Sequence, residues 1–254
     1  MSLAEDLRGI AVAVAREAGA LLAARRGEHL VADTKSTPTD AVTEVDRQSE
    51  ALIVRRLAEM RPGDGILGEE GADTAGSTGV RWVVDPLDGT VNYLYGIGAY
   101  AVSIAAEVDG VAVAGAVFDA ATGRMYDAAR GQGATLDGAP LACSRVSTLE
   151  MALVGTGFGY SAQVRADQAR VVSALLPQVR DIRRFGSAAL DLCAVASGAL
   201  DGYYERGIHP WDRAAGLLIA TEAGAQGSVI PEGSRDLTLA AAPAVFDALL
   251  HAVA

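Results

Sequence analysis

The sequence predicts a mixed α+β and α/β protein, one compact unit made of an N-terminal half over residues 1–145 and a C-terminal half over 146–254. Three observations carry that reading. Two stretches with helical apolar spacing open the chain, and Val-, Ile- and Ala-rich runs at 99–107 and 111–119 follow, joined at Asp109-Gly110. An Asp-Gly pair between such runs is a hairpin signal, so the first half reads as helices against an antiparallel sheet. From about Met151 short apolar runs alternate with helical stretches, the rhythm of a mixed, largely α/β half. No repeat, low-complexity tract or long linker divides the two, and 254 residues, 50% of them hydrophobic, suffice for a large core.

In order, Ser2-Leu3-Ala4-Glu5 matches a capping box, and Leu3, Leu7, Ile10, Val14, Leu21 and Leu22 form the apolar stripe of a first helix. Lys35 to Asp40 reads as a loop. Thr43-x-x-Asp46 opens a second helix that buries Val45, Leu52, Ile53, Leu57 and Met60. Gly63-Asp64-Gly65 breaks the chain before the short apolar segment Ile66-Leu67-Gly68 and the acids Glu69-Glu70. A buried strand spans 80–84, a short helix starts at Thr90, and the segment from Arg124 and the Asp137-Gly138 turn continue the sheet. In the second half the expected order is a strand at 152–156, a helix at 163–176, a strand at 181–185, a helix at 187–199, a strand at 202–205 and a helix at 211–223. Short strands at 227–230 and 237–241 then precede a last helix at 244–253. The segment from Ser187 is apolar almost all round, which places its helix between layers.

Composition excludes several classes. A net charge of −11 argues against a nucleic-acid surface, because phosphate backbones demand clustered Lys and Arg. The longest apolar runs stop short of a membrane span and the N-terminus lacks a basic start before an apolar core, so a cytoplasmic location is expected. Cys143 and Cys193 have neither metal-type nor redox-type spacing and read as buried reduced thiols. An acidic protein that handles an anionic substrate needs cations.

The chemistry concentrates in Trp82-Val83-Val84-Asp85-Pro86-Leu87-Asp88-Gly89-Thr90. Pro86 pushes Asp85 into an extended conformation and so delivers the acid at the end of the strand. Asp88 follows three residues on, Gly89 lets the backbone turn, and Thr90 begins a helix whose first N–H groups lack intrahelical partners. The bland alternative is a strand, a turn and an Asp helix cap. Asp46 in its first helical turn has the same double reading, since an acid there interacts with the helix dipole for about 0.3 to 1 kcal/mol. Asp212, in His209-Pro210-Trp211-Asp212, again sits at a helix start.

Taken together, Gly68-Glu69-Glu70, the run from Trp82 to Thr90 with Asn92, and Trp211-Asp212-x-Ala214-Ala215-Gly216 resemble the paired signatures of the inositol monophosphatase family. Lys35-Ser36-x-Pro38-x-Asp40-x-Val42-Thr43-x-x-Asp46 and Gly186-Ser187-Ala188-Ala189 match as well, so the resemblance spans most of the chain. It departs at Val91, where many relatives carry a second Thr, and at Gly98, where Pro is frequent; neither replaces a ligand type.

The resemblance implies a layered αβαβα sandwich, assembled as a homodimer. It implies about two to three Mg²⁺ per subunit, held by Glu69, Asp85, Asp88, Asp212 and the carbonyl of Leu87; hard cations prefer such oxygen ligands. Two carboxylates about 5 Å apart at an effective dielectric near 20 repel by roughly 3 kcal/mol, so bound cations explain four clustered acids better than four independent caps. The implied reaction is hydrolysis of a small phosphate monoester by in-line attack of an activated water, without a phosphoenzyme. One metal, on Glu69 and Asp85, lowers the water's pKa; the other, on Asp85, Asp88 and Asp212, neutralises the leaving alkoxide. Asp46, Glu69 and Thr90 are the implied catalytic residues, with Asp46 accepting from the Thr90 hydroxyl. Substrate contacts fall to Asp88, Gly89, Thr90, Gly186, Ser187, Ala188 and Glu205, which suits a polyol such as inositol 1-phosphate, although Glu205 also reads as a strand-end charge paired with an Arg. His209 is expected to be structural. Fructose 1,6-bisphosphatase, histidinol-phosphate phosphatase and NADP or nucleotide phosphatase are alternatives within the family, and Li⁺ is an expected inhibitor. An alternative of another class is a regulatory partner in transcription or ribosome assembly docking through Arg165, Arg170, Arg180, Arg183 and Arg184, which otherwise form a solvated rim.

Overall fold

Ser2 accepts from the Glu5 amide while Glu5 accepts from the Ser2 amide, which completes the expected capping box and starts α1 (Leu3–Arg25). The structure is a computed structural model that describes residues 2–27, 32–34, 41–233 and 235–254; the predicted loop from Lys35 to Asp40, and His29, lie outside the described residues. After α1 come β1 (Ala32–Thr34), β2 (Ala41–Thr43), α2 (Glu44–Met60), β3 (Gly65–Gly68), β4 (Asp73–Thr74), β5 (Val80–Asp88) and α3 (Thr90–Tyr95). The half closes with β6 (Ala101–Val108), β7 (Val111–Asp119), β8 (Arg124–Ala129), β9 (Ala134–Leu136) and β10 (Ala139–Pro140). The second half runs β11 (Leu153–Thr156), α4 (Ala162–Leu175), β12 (Asp181–Arg183), α5 (Ala188–Ala196), β13 (Gly202–Arg206), α6 (Pro210–Glu222), β14 (Gln226–Ile230), β15 (Leu237–Ala241) and α7 (Phe246–Val253).

An eight-stranded sheet in the order β10-β9-β8-β7-β6-β5-β3-β4 forms the first half, antiparallel except where β3 lies parallel to β5. Asp109 and Gly110 both adopt positive φ, 52° and 76°, which matches the right-handed twist of the β6–β7 hairpin. The second sheet is five-stranded, β12-β11-β13-β15-β14, and mixed: β11 pairs parallel with β12 and β13, while β15 is antiparallel to its neighbours.

Strand alternation sorts the side chains into layers. On β5 and β6, Trp82, Val84, Val102 and Ile104 point to a core shared with Leu7, Val14 and Leu22 of α1 and Ile53 and Leu57 of α2. Val83, Ala101 and Ala105 point the other way, to Leu192 and Ala189 of α5 and Ala215 and Ile219 of α6; Tyr203 and Ala240 of the small sheet close that core from beyond. The far face of the small sheet, with Val154, Tyr204 and Leu239, meets Leu175 of α4 and Phe246 and Leu249 of α7. Helices, sheet, helices, sheet, helices: this is the five-layered αβαβα sandwich that the resemblance implies. The central helices approach closely because Gly216 carries no Cβ, which would stand 2.8 Å from Leu192 Cβ.

Three local expectations are corrected. The strand predicted to end near Val84 continues through Pro86 to Asp88, because a register shift against β6 between Asp85 and Asp88 takes Pro86, which has no N–H, out of the ladder. The helix expected to reach residue 199 ends at Ala196, just before Gly198 turns the chain with φ 71°. Cys193 is buried as expected, but Cys143 is only half-buried; both are free thiols. Among the described residues no helix is long and apolar enough to cross a membrane.

Candidate active site

The parallel pairing of β3 with β5 sets Gly68 beside Val84, so the next residues, Glu69 and Asp85, emerge together at the ends of adjacent strands. The Glu69 amide donates to the Val84 carbonyl at 3.2 Å. Behind this corner the buried carboxylate of Glu50 accepts from the Glu70 and Ala72 amides, at 2.8 and 3.1 Å, and holds the loop that carries Glu69. Ser49, also on α2, donates to the Pro86 carbonyl at 2.9 Å.

Asp85 is buried and its Oδ1 accepts from the Leu87 amide at 3.0 Å, a turn that pulls the backbone around Pro86. Asp88 crosses to the second half of the chain: its Oδ2 accepts from Ser187 Oγ at 2.6 Å and from the Ala189 amide at 2.8 Å, at the start of α5. Asn92 adds a second staple between the halves, donating to both the Ala99 and Phe185 carbonyls at 2.8 Å. Gly89 sits at φ 89°, where a Cβ would lie 2.7 Å from the Ala99 carbonyl oxygen, so this position admits only glycine. Asp212 accepts from the His209 amide at the first turn of α6.

Asp46 and Thr90 are brought together from α2 and α3. The Thr90 hydroxyl lies 3.0 Å from both Asp46 Oδ1 and the Leu87 carbonyl oxygen. The other Asp46 oxygen accepts from the Thr43 amide at 2.8 Å, completing a capping box. One acid therefore both caps its helix and accepts from the Thr90 hydroxyl.

Glu69, Asp85, Asp88 and Asp212 line one cavity of about 410 Å³ between the two halves, together with Thr90 and Glu205. Gly89, Gly186, Ser187, Ala188 and Leu87 line it as well, so every expected site residue except Asp46, which acts from behind Thr90, reaches this space. Glu205 is not an exposed strand-end charge. It accepts from the Tyr203 hydroxyl at 2.6 Å, and Gly157 makes room for it, since a Cβ there would fall 1.9 Å from Glu205 Oε2. His209 is exposed, stacks on Trp211 with ring centroids 4.8 Å apart, and also lines the cavity.

The electrostatics of the cavity are those of crowded acids. Burial pushes Asp85 well above the usual carboxylate range, and the charges of Glu69, Asp88 and Asp212 push it further. Asp212 is raised well above that range by burial and then by Asp88 and Glu69, against the pull of the His209 amide. Asp88 is raised by burial to about 6 against the bonds from Ser187 and Ala189. Glu205 is raised by burial to about 7. Among the described residues no group of three or more His, Cys, Asp or Glu is drawn together as a preassembled metal cage. The donor set nevertheless suits a hard cation: it is all oxygen, and the mutual repulsion that lifts Asp85 is what a bound cation relieves.

Two further residues escaped the sequence reading. Asp191 is 1% exposed on α5, lines the cavity, and is raised by burial to about 8. An acid inside a helix otherwise apolar all round was the available signal. Arg184, counted among rim arginines, lines the cavity beside Arg206 and Arg235 and lowers both Asp191 and Glu205.

Raised carboxylates make a stability prediction. A group whose folded pKa exceeds its unfolded value binds more protons folded than unfolded, so stability falls as pH rises from the unfolded value near 4 through the folded one. With Asp88, Glu205 and Asp191 at about 6, 7 and 8, the metal-free protein should melt at a higher temperature at pH 5.5 than at pH 8. Scanning calorimetry in chelator checks this; a melting temperature that rises with pH over that window would contradict it.

A layered sandwich with an acid-lined cavity between its halves defines a pocket rich in oxygen donors. The comparisons agree. The model of the inositol monophosphatase family matches residues 3–249. An inositol-1-monophosphatase of Mycobacterium leprae is 52% identical over 98% of this chain and 94% of its own length. The solved structure of Mycobacterium tuberculosis SuhB superposes with a TM-score of 0.86 at 50% identity, covering 98% of this chain and 95% of that one. A Nus factor SuhB of Vibrio cholerae is 39% identical over 85% of this chain and 82% of its own. The chain belongs to the inositol monophosphatase family, and its chemistry is that of a phosphomonoesterase.

Proposed function

We propose that this phosphomonoesterase acts on inositol 1-phosphate, with Mg²⁺ held by Glu69, Asp85, Asp88, Asp212 and the Leu87 carbonyl. The observation that carries the reading is the convergence, on one cavity, of four carboxylates, the Thr90 hydroxyl backed by Asp46, and the hydroxyl acceptor Glu205. Bound Mg²⁺ supplies a Lewis acid that lowers the pKa of water and neutralises charge on the leaving oxygen. The chain's own residues do the rest. Thr90 orients the attacking water, and Asp46, fixed by Thr43, accepts from the Thr90 hydroxyl and sets its direction. Asp88, tied to Ser187 and Ala189, keeps the substrate wall of Gly186, Ser187 and Ala188 in register with the acids. Arg184 adds positive charge to the lining, and Glu205 reads the polyol. A cytoplasmic homodimer inhibited by Li⁺ completes the proposal by family resemblance.

Glu205→Gln tests the substrate assignment. Each ring hydroxyl that enters the pocket needs an acceptor, so the substitution should raise KM for inositol 1-phosphate and lower kcat/KM about tenfold to a hundredfold, the worth of a charge-assisted hydrogen bond. p-Nitrophenyl phosphate lacks those hydroxyls and should be cleaved almost equally by both proteins. Because Glu205 is raised to about 7, the contrast between wild type and variant should widen from pH 6 to pH 8, as the wild-type carboxyl ionises. Proportional loss on both substrates would make Glu205 structural. A docking role in place of catalysis would call for a free basic face, whereas Arg170 pairs with Asp167 at 2.6 Å and Arg183 with Asp181 at 2.5 Å.

A further inference from the structure

Strand pairing stops just as the chain reaches the first acid of the site. β3 is in register with β5 only as far as Gly68 and Val84, and the Glu69 amide makes one more bond, to the Val84 carbonyl. The chain then turns back into β4, with the Gly68 amide donating to the Ala72 carbonyl at 2.6 Å and Gly71 at φ 116°. Glu69 therefore sits where the sheet no longer fixes the backbone.

Glu50 takes over at that point. Its Oε2 accepts from the Glu70 amide at 2.8 Å and its Oε1 from the Ala72 amide at 3.1 Å, so one carboxylate grips the turn on both sides of Gly71. It is 7% exposed, and a buried acid costs free energy unless its oxygens are paired. The two backbone donors supply that pairing. The fit is close as well: a Cβ on Gly68 would stand 2.9 Å from the Glu50 carboxyl carbon and nearer still to Oε2. Two N–H groups need two acceptors and an amide side chain offers one, so glutamine would lose half of the grip.

This grip is part of a larger one. Asp46, Ser49 and Glu50 are spaced i, i+3, i+4, which puts them on one face of α2, and all three are buried. Each holds a different piece of the site: Asp46 the Thr90 hydroxyl at the start of α3, Ser49 the Pro86 carbonyl in β5, and Glu50 the turn after Glu69. Ile53 and Leu57 continue that face into the core. One rigid helix thus sets the spacing between the turn of Glu69 and the strand of Asp85.

We propose that Glu50 is a positioning residue for the cation site: it fixes the turn that carries Glu69 and so sets how tightly the site holds Mg²⁺. The proposal rests on the Mg²⁺ reading above. Glu50 does not line the cavity, so it acts only through Glu69. Calorimetric melting of the full chain against free Mg²⁺ tests it, since a ligand of the folded state begins to raise the melting temperature near its Kd. Glu50→Gln should move that onset to Mg²⁺ concentrations about tenfold to a hundredfold higher, the usual worth of a group that orients a metal ligand from behind. The kcat for p-nitrophenyl phosphate at saturating Mg²⁺ should be largely kept. Losing a nearby negative charge would also weaken a cation, and Gly68→Ala separates the two causes. It keeps the charge, drives the carboxyl off the turn, and should shift the onset in the same direction; it also carries the test should Glu50→Gln not fold. Glu59→Gln, an exposed acid of the same helix paired with Arg56, should leave the onset in place. An unchanged onset in Glu50→Gln, or one that moves there but not in Gly68→Ala, would overturn the proposal and leave the Mg²⁺ reading intact. A wild type whose melting temperature ignores Mg²⁺ would remove both.

Discussion

Asp85→Asn should lower kcat for phosphate release by on the order of 10³ or more while the metal-free protein melts at a higher temperature than wild type. Both halves of this result come from one position. Asp85 lines one cavity with Glu69, just past the end of the neighbouring strand, with Asp88 at the end of its own strand and with Asp212 at the start of α6, and all three push its carboxyl up beyond what burial alone does. Asparagine keeps the size and the Oδ1 that accepts from the Leu87 amide, so the turn at Pro86 survives. It removes the charge that a cation needs. Without metal, the variant loses repulsion and gains stability; with substrate, it loses the means of activating water. A scaffold role for Asp85 predicts the opposite pairing, a modest fall in rate with a lower melting temperature. Steady-state kinetics beside calorimetry in chelator separates the two.

Removing metal should have the other large effect. EDTA should abolish phosphate release, and Mg²⁺ should restore it at the millimolar concentrations typical of weak, partly hydrated sites. The donors argue for this cation: carboxylates and a carbonyl, with no thiol or imidazole lining the cavity except the exposed His209. Li⁺ should inhibit when added to the Mg²⁺-loaded enzyme. Full activity in a rigorously metal-free sample would contradict the mechanism.

How much of this was legible in the sequence follows from which signals are local. The capping box at Ser2, the helix that Thr43-x-x-Asp46 opens and the hairpin at Asp109-Gly110 are set by a few neighbouring residues, and the structure has all three where expected. The acids of the site were legible as a set only through the family resemblance, because taken one at a time Glu69, Asp85, Asp88 and Asp212 also read as a solvated pair, a strand end, a turn and a helix start. What was not legible depends on neighbours distant in sequence. Strand β5 outruns its predicted end because β6 tolerates a register shift, and nothing in Asp85-Pro86-Leu87 announces that. Glu50, twenty residues before Glu70, reads as an ordinary helix-surface acid until the loop folds onto it. Arg184 reads as a rim charge, yet it lines the cavity. Gly157 carries no signal of its own in the sequence, yet it leaves space for Glu205 of β13.

The central claim is that Glu69, Asp85, Asp88 and Asp212 form one cation site. Calorimetric melting of the wild type and of Asp85→Asn, each with and without millimolar Mg²⁺, tests it without any assay of activity. Binding to the folded state alone raises the melting temperature by an amount that grows with the logarithm of the free Mg²⁺ concentration once it exceeds Kd, so Mg²⁺ should stabilise the wild type and leave the variant unmoved. A Mg²⁺ shift of equal size in both proteins would contradict the claim.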